Sequence, residues 1–202
     1  MYQPDLLQDK RILITGGGSG LGKAMGRAFL ELGAKVAICG RREEVLRETA
    51  AEFARDFREE RIAWRPCDIR DPEAVEAMVE GFWQEGPLDA LVNNAAGNFA
   101  AKSETLSHRA VDAVLGIVLP GTAYVTLAVG KRWIAEERKG TVLSMLTSYA
   151  WSGSAYVLPS AMGKAGALAM TRSLAAEWGA YGIRLNAIAP GPFPTEGAWE
   201  RL

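Results

Sequence analysis

Short apolar runs alternate with longer amphipathic segments along the whole chain, the pattern of strands buried in a parallel sheet and helices that cover it. Six runs read as strands: residues 11–15, 35–39, 61–67, 88–93, 141–146 and 183–189. Helices are predicted between them. Residues 21–32 form the first, stopped by Gly33, and residues 43–57 the second, with Glu43, Glu44, Arg47 and Glu48 on its charged face. The third starts at Asp71-Pro72-Glu73, where an aspartate can cap exposed amides and a proline at the first helical position gives up no hydrogen bond. Two longer helical regions follow at 107–137 and 156–178. The second carries Ala161, Gly163, Ala165, Gly166, Ala167 and Ala169, small side chains that permit close backbone packing.

Parallel strands joined by helices need right-handed crossovers. The simplest assembly is an α/β fold, a Rossmann-type doubly wound parallel sheet in the order 3-2-1-4-5-6 with helices on both faces. Ligands then bind in the crevice at the carboxyl ends of the strands. At 202 residues, 49% hydrophobic and 23% charged, with no linker-like tract or internal repeat, residues 1–202 read as one domain.

Charge narrows the ligand. The 23 basic and 24 acidic side chains leave a net charge of -1 and are spread along the chain, so no basic face for nucleic acid is evident. Cys39 and Cys67 each lie near the end of an apolar run, too far apart for a zinc spacing or a disulfide framework, and read as core residues in a reducing compartment. The single histidine, His108, reads as a surface residue at a helix start, which leaves almost no material for a metal site or a histidine triad. Residues 1–10 place acids among apolar positions and lack the long apolar stretch of a signal or membrane segment. A cytoplasmic protein without a membrane partner is expected.

Candidate chemistry gathers where strands end. Thr15-Gly16-Gly17-Gly18-Ser19-Gly20-Leu21-Gly22 joins the first strand to the first helix, and its glycines let backbone amides and a helix N-terminus approach a pyrophosphate. Gly16, Gly18, Ser19, Gly20, Leu21 and Gly22 are therefore candidate cofactor contacts; the other reading is a purely structural turn. After the second strand stand Arg41 and Arg42, where a site for NAD usually carries an acid on the ribose 2'-hydroxyl. Arginines there favour the 2'-phosphate of NADP, unless they are solvated charges at a helix start. Ser160 and Lys164, four apart, share one helix face.

The glycine turn with its Gly-x-x-x-Gly-x-Gly spacing, followed by Asn93-Asn94-Ala95-Ala96-Gly97-Asn98, resembles the short-chain dehydrogenase/reductases. The resemblance implies that Asp68 and Ile69 border the adenine, that Asn94, Ala95 and Gly97 border the cofactor, the asparagines stabilising the sheet edge while Ala95 and Gly97 leave room, and that Pro190 and Gly191, in Pro190-Gly191-Pro192, line the nicotinamide. Most members of that family reduce ketones with a Tyr-x-x-x-Lys pair. Here Lys164 is kept and Ser160 stands where the tyrosine is expected; Thr147 takes the place of the family's serine, and Val118 that of its helix asparagine.

Within the family, the chain resembles the 2,4-dienoyl-CoA reductases. The stretches that carry this are Asn93 to Phe99, Ile117-Val118-Leu119 with Gly121-Thr122-Ala123, Pro159-Ser160-Ala161, and Ser173-Leu174-Ala175-Ala176-Glu177-Trp178-Gly179. The resemblance implies that the active tyrosine is Tyr149, fifteen residues before Lys164, and that Asn98 joins it in binding the thioester carbonyl of an acyl-CoA. Hydride would go to the distal carbon of the diene, with charge developing on the remote thioester oxygen, while Lys164 holds the nicotinamide ribose and Ser160 positions Lys164 or the cofactor. Read singly, Tyr149 could cap a strand end, Asn98 could brace a loop, Lys164 could be an exposed helical lysine and Asp68 could cap a loop. Departures such as Met162, where relatives often carry a small polar residue, leave the acyl-chain preference open.

Two other functions share these features: a trans-2-enoyl thioester or other carbonyl reductase, and a catalytically silent NADP-binding interaction protein. The resemblance also implies a homo-oligomer, up to a tetramer. Relatives continue through a substrate lid and a seventh strand, whereas this sequence stops at Leu202, just past the sixth: either the polypeptide is longer, or it lacks the lid and the last strand.

Overall fold

The computed structural model describes residues 2–191. Its six strands are β1 (Arg11–Thr15), β2 (Lys35–Gly40), β3 (Ile62–Pro66), β4 (Ala90–Asn93), β5 (Gly140–Met145) and β6 (Ile183–Ile188). All pairings are parallel, in the order β3-β2-β1-β4-β5-β6, as the apolar runs lead one to expect. The helices between them are α1 (Gly20–Glu31), α2 (Glu43–Asp56), α3 (Pro72–Gln84), α4 (His108–Gly116), α5 (Thr122–Ala135), α6 (Tyr149–Ser152) and α7 (Leu158–Trp178).

Alternate residues of a strand face opposite sides of a sheet. Leu13, Ala37 and Cys39 accordingly pack with Val79 and Phe82 of α3 and Val129 and Trp133 of α5. Ile12, Ile14, Val36 and Ile38 pack instead with Leu30 of α1 and Leu46 and Phe53 of α2. Both faces carry helices. Cys39 and Cys67 lie in the first of these cores as free thiols, and burial pushes both well above the ordinary thiol range.

Local signals set most boundaries. The Asp71 carboxylate accepts from Glu73 N (2.9 Å) and Ala74 N (3.2 Å) and starts α3. Ser107 accepts from Ala110 N and starts α4, leaving His108 exposed at its first position. Most element ends shift by a residue or two from the sequence pattern, and four of the differences have an identifiable cause. The strand expected at 88–93 begins only at Ala90, because Leu88 O accepts from Trp133 Nε1 (2.6 Å) and the Asp89 carboxylate from Arg11 N (2.9 Å). The strand expected at 61–67 begins at Ile62, since Arg61 closes a 3-10 turn and its guanidinium reaches back to Leu30 O and Ala34 O. The helix expected over 107–137 is interrupted by a π turn at Ile117–Gly121, where Pro120 has no N–H to offer the i−4 ladder. Helix α7 begins at Leu158 because Tyr156 adopts a left-handed φ of 66° and Pro159 occupies the first turn. Pro192 and the alternative of a longer chain or a missing lid and last strand lie outside the described residues.

Candidate active site

The carboxyl end of β1 turns at Gly16, whose φ of 65° suits a residue without Cβ. The amides of Gly16 and Gly17 both donate to Cys39 O, at 2.8 and 3.3 Å. Gly22, in the first turn of α1, lies so close to Gly16 O and the Asn94 side-chain nitrogen that no methyl group fits. Asn94 binds this turn to β4: its Nδ2 donates to Thr15 O (3.0 Å) and Gly16 O (3.2 Å), while Thr15 Oγ1 accepts from the amides of Asn94 and Ala95 at 3.0 Å. The neighbouring Asn93 donates to Thr126 Oγ1 (2.8 Å). Ser19 sits at the N-cap of α1 without making a side-chain cap, so the first-turn amides, Leu21 and Gly22 among them, remain open at the crevice. A bare helix N-terminus behind a glycine turn suits a dinucleotide pyrophosphate.

At the end of β2, Arg41 and Arg42 are exposed, and the Arg42 guanidinium reaches to 3.5 Å from Ser19 Oγ. Asp68, beyond β3, is engaged by Arg70: Arg70 Nε donates to both carboxylate oxygens (2.9 and 3.0 Å), Nη2 to Oδ2 (2.5 Å), and the Arg70 amide to Oδ1 (3.1 Å). Hydrogen bonding from Arg70 holds the Asp68 carboxyl below its usual range. Asp68 thus does brace its own loop, with Arg41 adding a favourable charge nearby. Ile69, by contrast, is buried against Gly121 of the π turn.

After β4, Gly97 packs on Ile117, and Asn98 is half-buried with an amide oxygen that has no hydrogen-bond partner. This loop is joined to the one preceding α7, since Ala101 N donates to Tyr156 O at 2.9 Å. After β5, the Thr147 hydroxyl is likewise buried and unpartnered. Orphaned buried polar atoms are uncommon; Asn93 Oδ1 and Ser144 Oγ, on β4 and β5 themselves, are orphaned as well, and Asn98 and Thr147, in the loops beyond these strands, are the two that suit polar atoms of a ligand.

Tyr149 opens α6, an element the periodicity did not announce, and its hydroxyl lies 3.0 Å from Ser160 Oγ on α7. Ser160 is 3% exposed. Lys164, one turn on, is 7% exposed and donates its Nζ to Met145 O at the end of β5. Burial lowers this ammonium from 10.5 to about 8. Lys164 is therefore no solvated helical lysine. Val118 is 1% exposed and packs against Gly163, so no amide stands at that helix position. Pro190 and Gly191 follow β6 at the same end of the sheet.

The fold thus joins Tyr149 with Ser160, Lys164 with the β5 terminus, and Asn94 with the glycine turn. Among the described residues no hydrogen bond links Asn98 to Tyr149, or Ser160 to Lys164. Sequence reasoning missed Thr49, whose hydroxyl donates to Gly18 O, and the Arg70 fork on Asp68. Thr49 left one signal, a hydroxyl on the buried stripe of Leu46, Ala50 and Phe53.

Comparison with known proteins agrees with the fold. A family model described as short chain dehydrogenase matches residues 10–201. An uncharacterized oxidoreductase of Caenorhabditis elegans is 46% identical over 98% of this chain, which spans 64% of that protein. A Bacillus subtilis protein named as a probable 2,4-dienoyl-CoA reductase, producing the (2E)-enoyl-CoA, is 45% identical over 97% of this chain and 77% of its own length. Among solved structures, a short chain dehydrogenase from Bacillus anthracis superposes with a TM-score of 0.87 at 45% identity, covering 91% of this chain and 76% of that one.

Proposed function

The chain belongs to the short-chain dehydrogenase family, and from that premise we propose that it is an NADPH-dependent reductase of 2,4-dienoyl-CoA thioesters. The observation that carries this reading is the Tyr149 hydroxyl 3.0 Å from Ser160 Oγ. A phenol is present, but it arises from α6 rather than from the helix position occupied by Ser160. The Bacillus subtilis relative is named as a probable 2,4-dienoyl-CoA reductase.

Membership of the family carries a nicotinamide dinucleotide with it, and the bound nicotinamide supplies the hydride. The residues present suit that group: the open N-terminus of α1 for the pyrophosphate, Arg41 and Arg42 for a 2'-phosphate, Lys164 for the nicotinamide ribose. Two exposed arginines without an acid at the end of β2 favour NADP over NAD.

Hydride arriving at the distal carbon of a dienoyl thioester sends negative charge through the conjugated system to the thioester oxygen. Donors aimed at that oxygen stabilise the transition state; donors beside the reacting carbon do not. In this reading Tyr149 donates its hydroxyl there. The Asn98 amide, its oxygen free of protein partners, turns its NH2 to the same atom. With its one proton given to that oxygen, the Tyr149 hydroxyl accepts from Ser160 Oγ, which holds the phenol in place. The enolate then takes a proton on carbon, at the α position to give a 3-enoyl product or at the γ position to give a 2-enoyl product.

A cytoplasmic setting fits the two buried free thiols. Homo-oligomer formation belongs to the same reading: the helical region His108–Ala135 has mean hydropathy 1.8 over its most apolar stretch, and only 50% of that stretch is buried. A panel of 2,4-dienoyl-CoA, trans-2-enoyl-CoA and a 3-ketoacyl thioester, followed by NADPH oxidation, tests the assignment. Turnover of the dienoyl substrate alone is expected. Preference for either of the others assigns the chain to a different reductase, and NADPH binding without any turnover makes it an interaction protein.

A further inference from the structure

A threonine inside a helix usually bonds its hydroxyl to the carbonyl one turn earlier. Thr126 does so with Thr122 O and Thr171 with Ala167 O, both at 2.8 Å. Thr49 of α2, only 2% exposed, does not. Its hydroxyl donates across to Gly18 O, at 2.8 Å and 31 residues away.

That bond fixes the orientation of a peptide group. The described residues contain no cis peptide, so C=O of Gly18 and N–H of Ser19 point in opposite directions. With the carbonyl held toward α2, the Ser19 amide is turned away from it, beside the uncapped N-terminus of α1. Gly18 itself lies buried against Val45 and Leu46 in the first turn of α2, leaving Ser19 exposed. The same helix starts directly after Arg41 and Arg42, and Arg42 reaches Ser19. Helix α2 thus sets both the arginine pair and the amide direction of the turn.

We propose that Thr49 is a positioning residue for dinucleotide binding: without touching the ligand, its hydroxyl aims the Ser19 amide at the diphosphate bridge. This rests on the nicotinamide reading of the glycine turn.

Thr49→Val keeps the volume and branching of the side chain and removes the donor; Thr49→Ser keeps the donor. Titrating each with NADPH by fluorescence, Thr49→Val is expected to bind about tenfold more weakly and Thr49→Ser within about twofold of the parent. At saturating NADPH the Val variant should retain its kcat, so that the loss appears in KM alone. Amide exchange of residues 18–20 should quicken in Val and not in Ser. Should Thr49→Val fail to fold, Thr49→Ala is put through the same titration and exchange measurement. A valine or alanine variant with parental NADPH affinity and only a lower Tm overturns the proposal, as does a serine variant as weak as valine. If the parent itself binds neither NADPH nor NADH, the nicotinamide reading falls and takes this inference with it; parental binding with unaffected variants removes the inference alone.

Discussion

The phenol oxygen of Tyr149 lies 3.0 Å from Ser160 Oγ, joining residues eleven apart in the chain and placed on different helices. Ser160 stands at the position from which a Tyr-x-x-x-Lys enzyme presents its acid. Here a phenol reaches that neighbourhood from α6, just past β5, and the buried Lys164 lies one turn beyond the serine.

Tyr149→Phe removes the donor assigned to the thioester oxygen and keeps the ring. Turnover of 2,4-dienoyl-CoA should fall about a hundredfold, with NADPH affinity unchanged. Ser160→Ala leaves the phenol in place without its partner and should cost about tenfold or less. Steady-state kinetics with both variants checks the pair; an active phenylalanine variant would refute the role of Tyr149.

Replacing Arg41 and Arg42 together by alanine withdraws two cations from the end of β2. NADPH should then bind at least about tenfold more weakly, while NADH affinity stays within about twofold of the parent, because only NADPH carries the 2'-phosphate. Parallel fluorescence titrations measure both constants.

Lys164 makes stability depend on pH in a definite direction. Its folded value of about 8 lies below the ordinary 10.5, so between these values the unfolded chain holds a proton that the folded chain has released. Stability from this group rises with pH across that window, and below about pH 8 the folded state carries the whole cost of a buried ammonium. Relative to the parent, Lys164→Met should therefore be more favourable at pH 7 than at pH 10. Denaturant unfolding of both proteins without cofactor, at the two pH values, gives the difference; a gap independent of pH would contradict the shift.

Val118→Asn restores the amide of the broader family at a position that is 1% exposed and packed on Gly163. A buried amide without partners costs about 1–3 kcal/mol. Thermal unfolding should show that loss, and no ketoreductase activity should appear, because the phenol still stands on α6.

Much of the fold was legible in local pattern. Residues 11–15 coincide with β1, and the cap at Asp71 and the stop at Gly33 fall where residue chemistry places them. The less legible parts are those where a distant partner overrides the local signal. Leu88 and Asp89 read as strand, yet Trp133 and Arg11 take their polar groups; Tyr156 reads as helix, yet its carbonyl serves Ala101 from a left-handed backbone. Asp68 is a local case: its partner Arg70 stands only two residues on, and the sequence left a loop-capping role beside one at the adenine, while the fold shows Arg70 closing on the carboxylate.

By itself the sequence determined the alternation of strand and helix, the sheet order that follows from right-handed crossovers, and a set of polar residues at strand ends. These depend on periodicity, caps and glycines, which act over a few residues. Tertiary structure alone decided that Tyr149 meets Ser160, that Lys164 is buried against Met145, and that Thr49 turns to Gly18 rather than to its own helix. Each is a contact across 11 to 31 residues, made when one element docks on another, and short-range pattern carries no record of that docking.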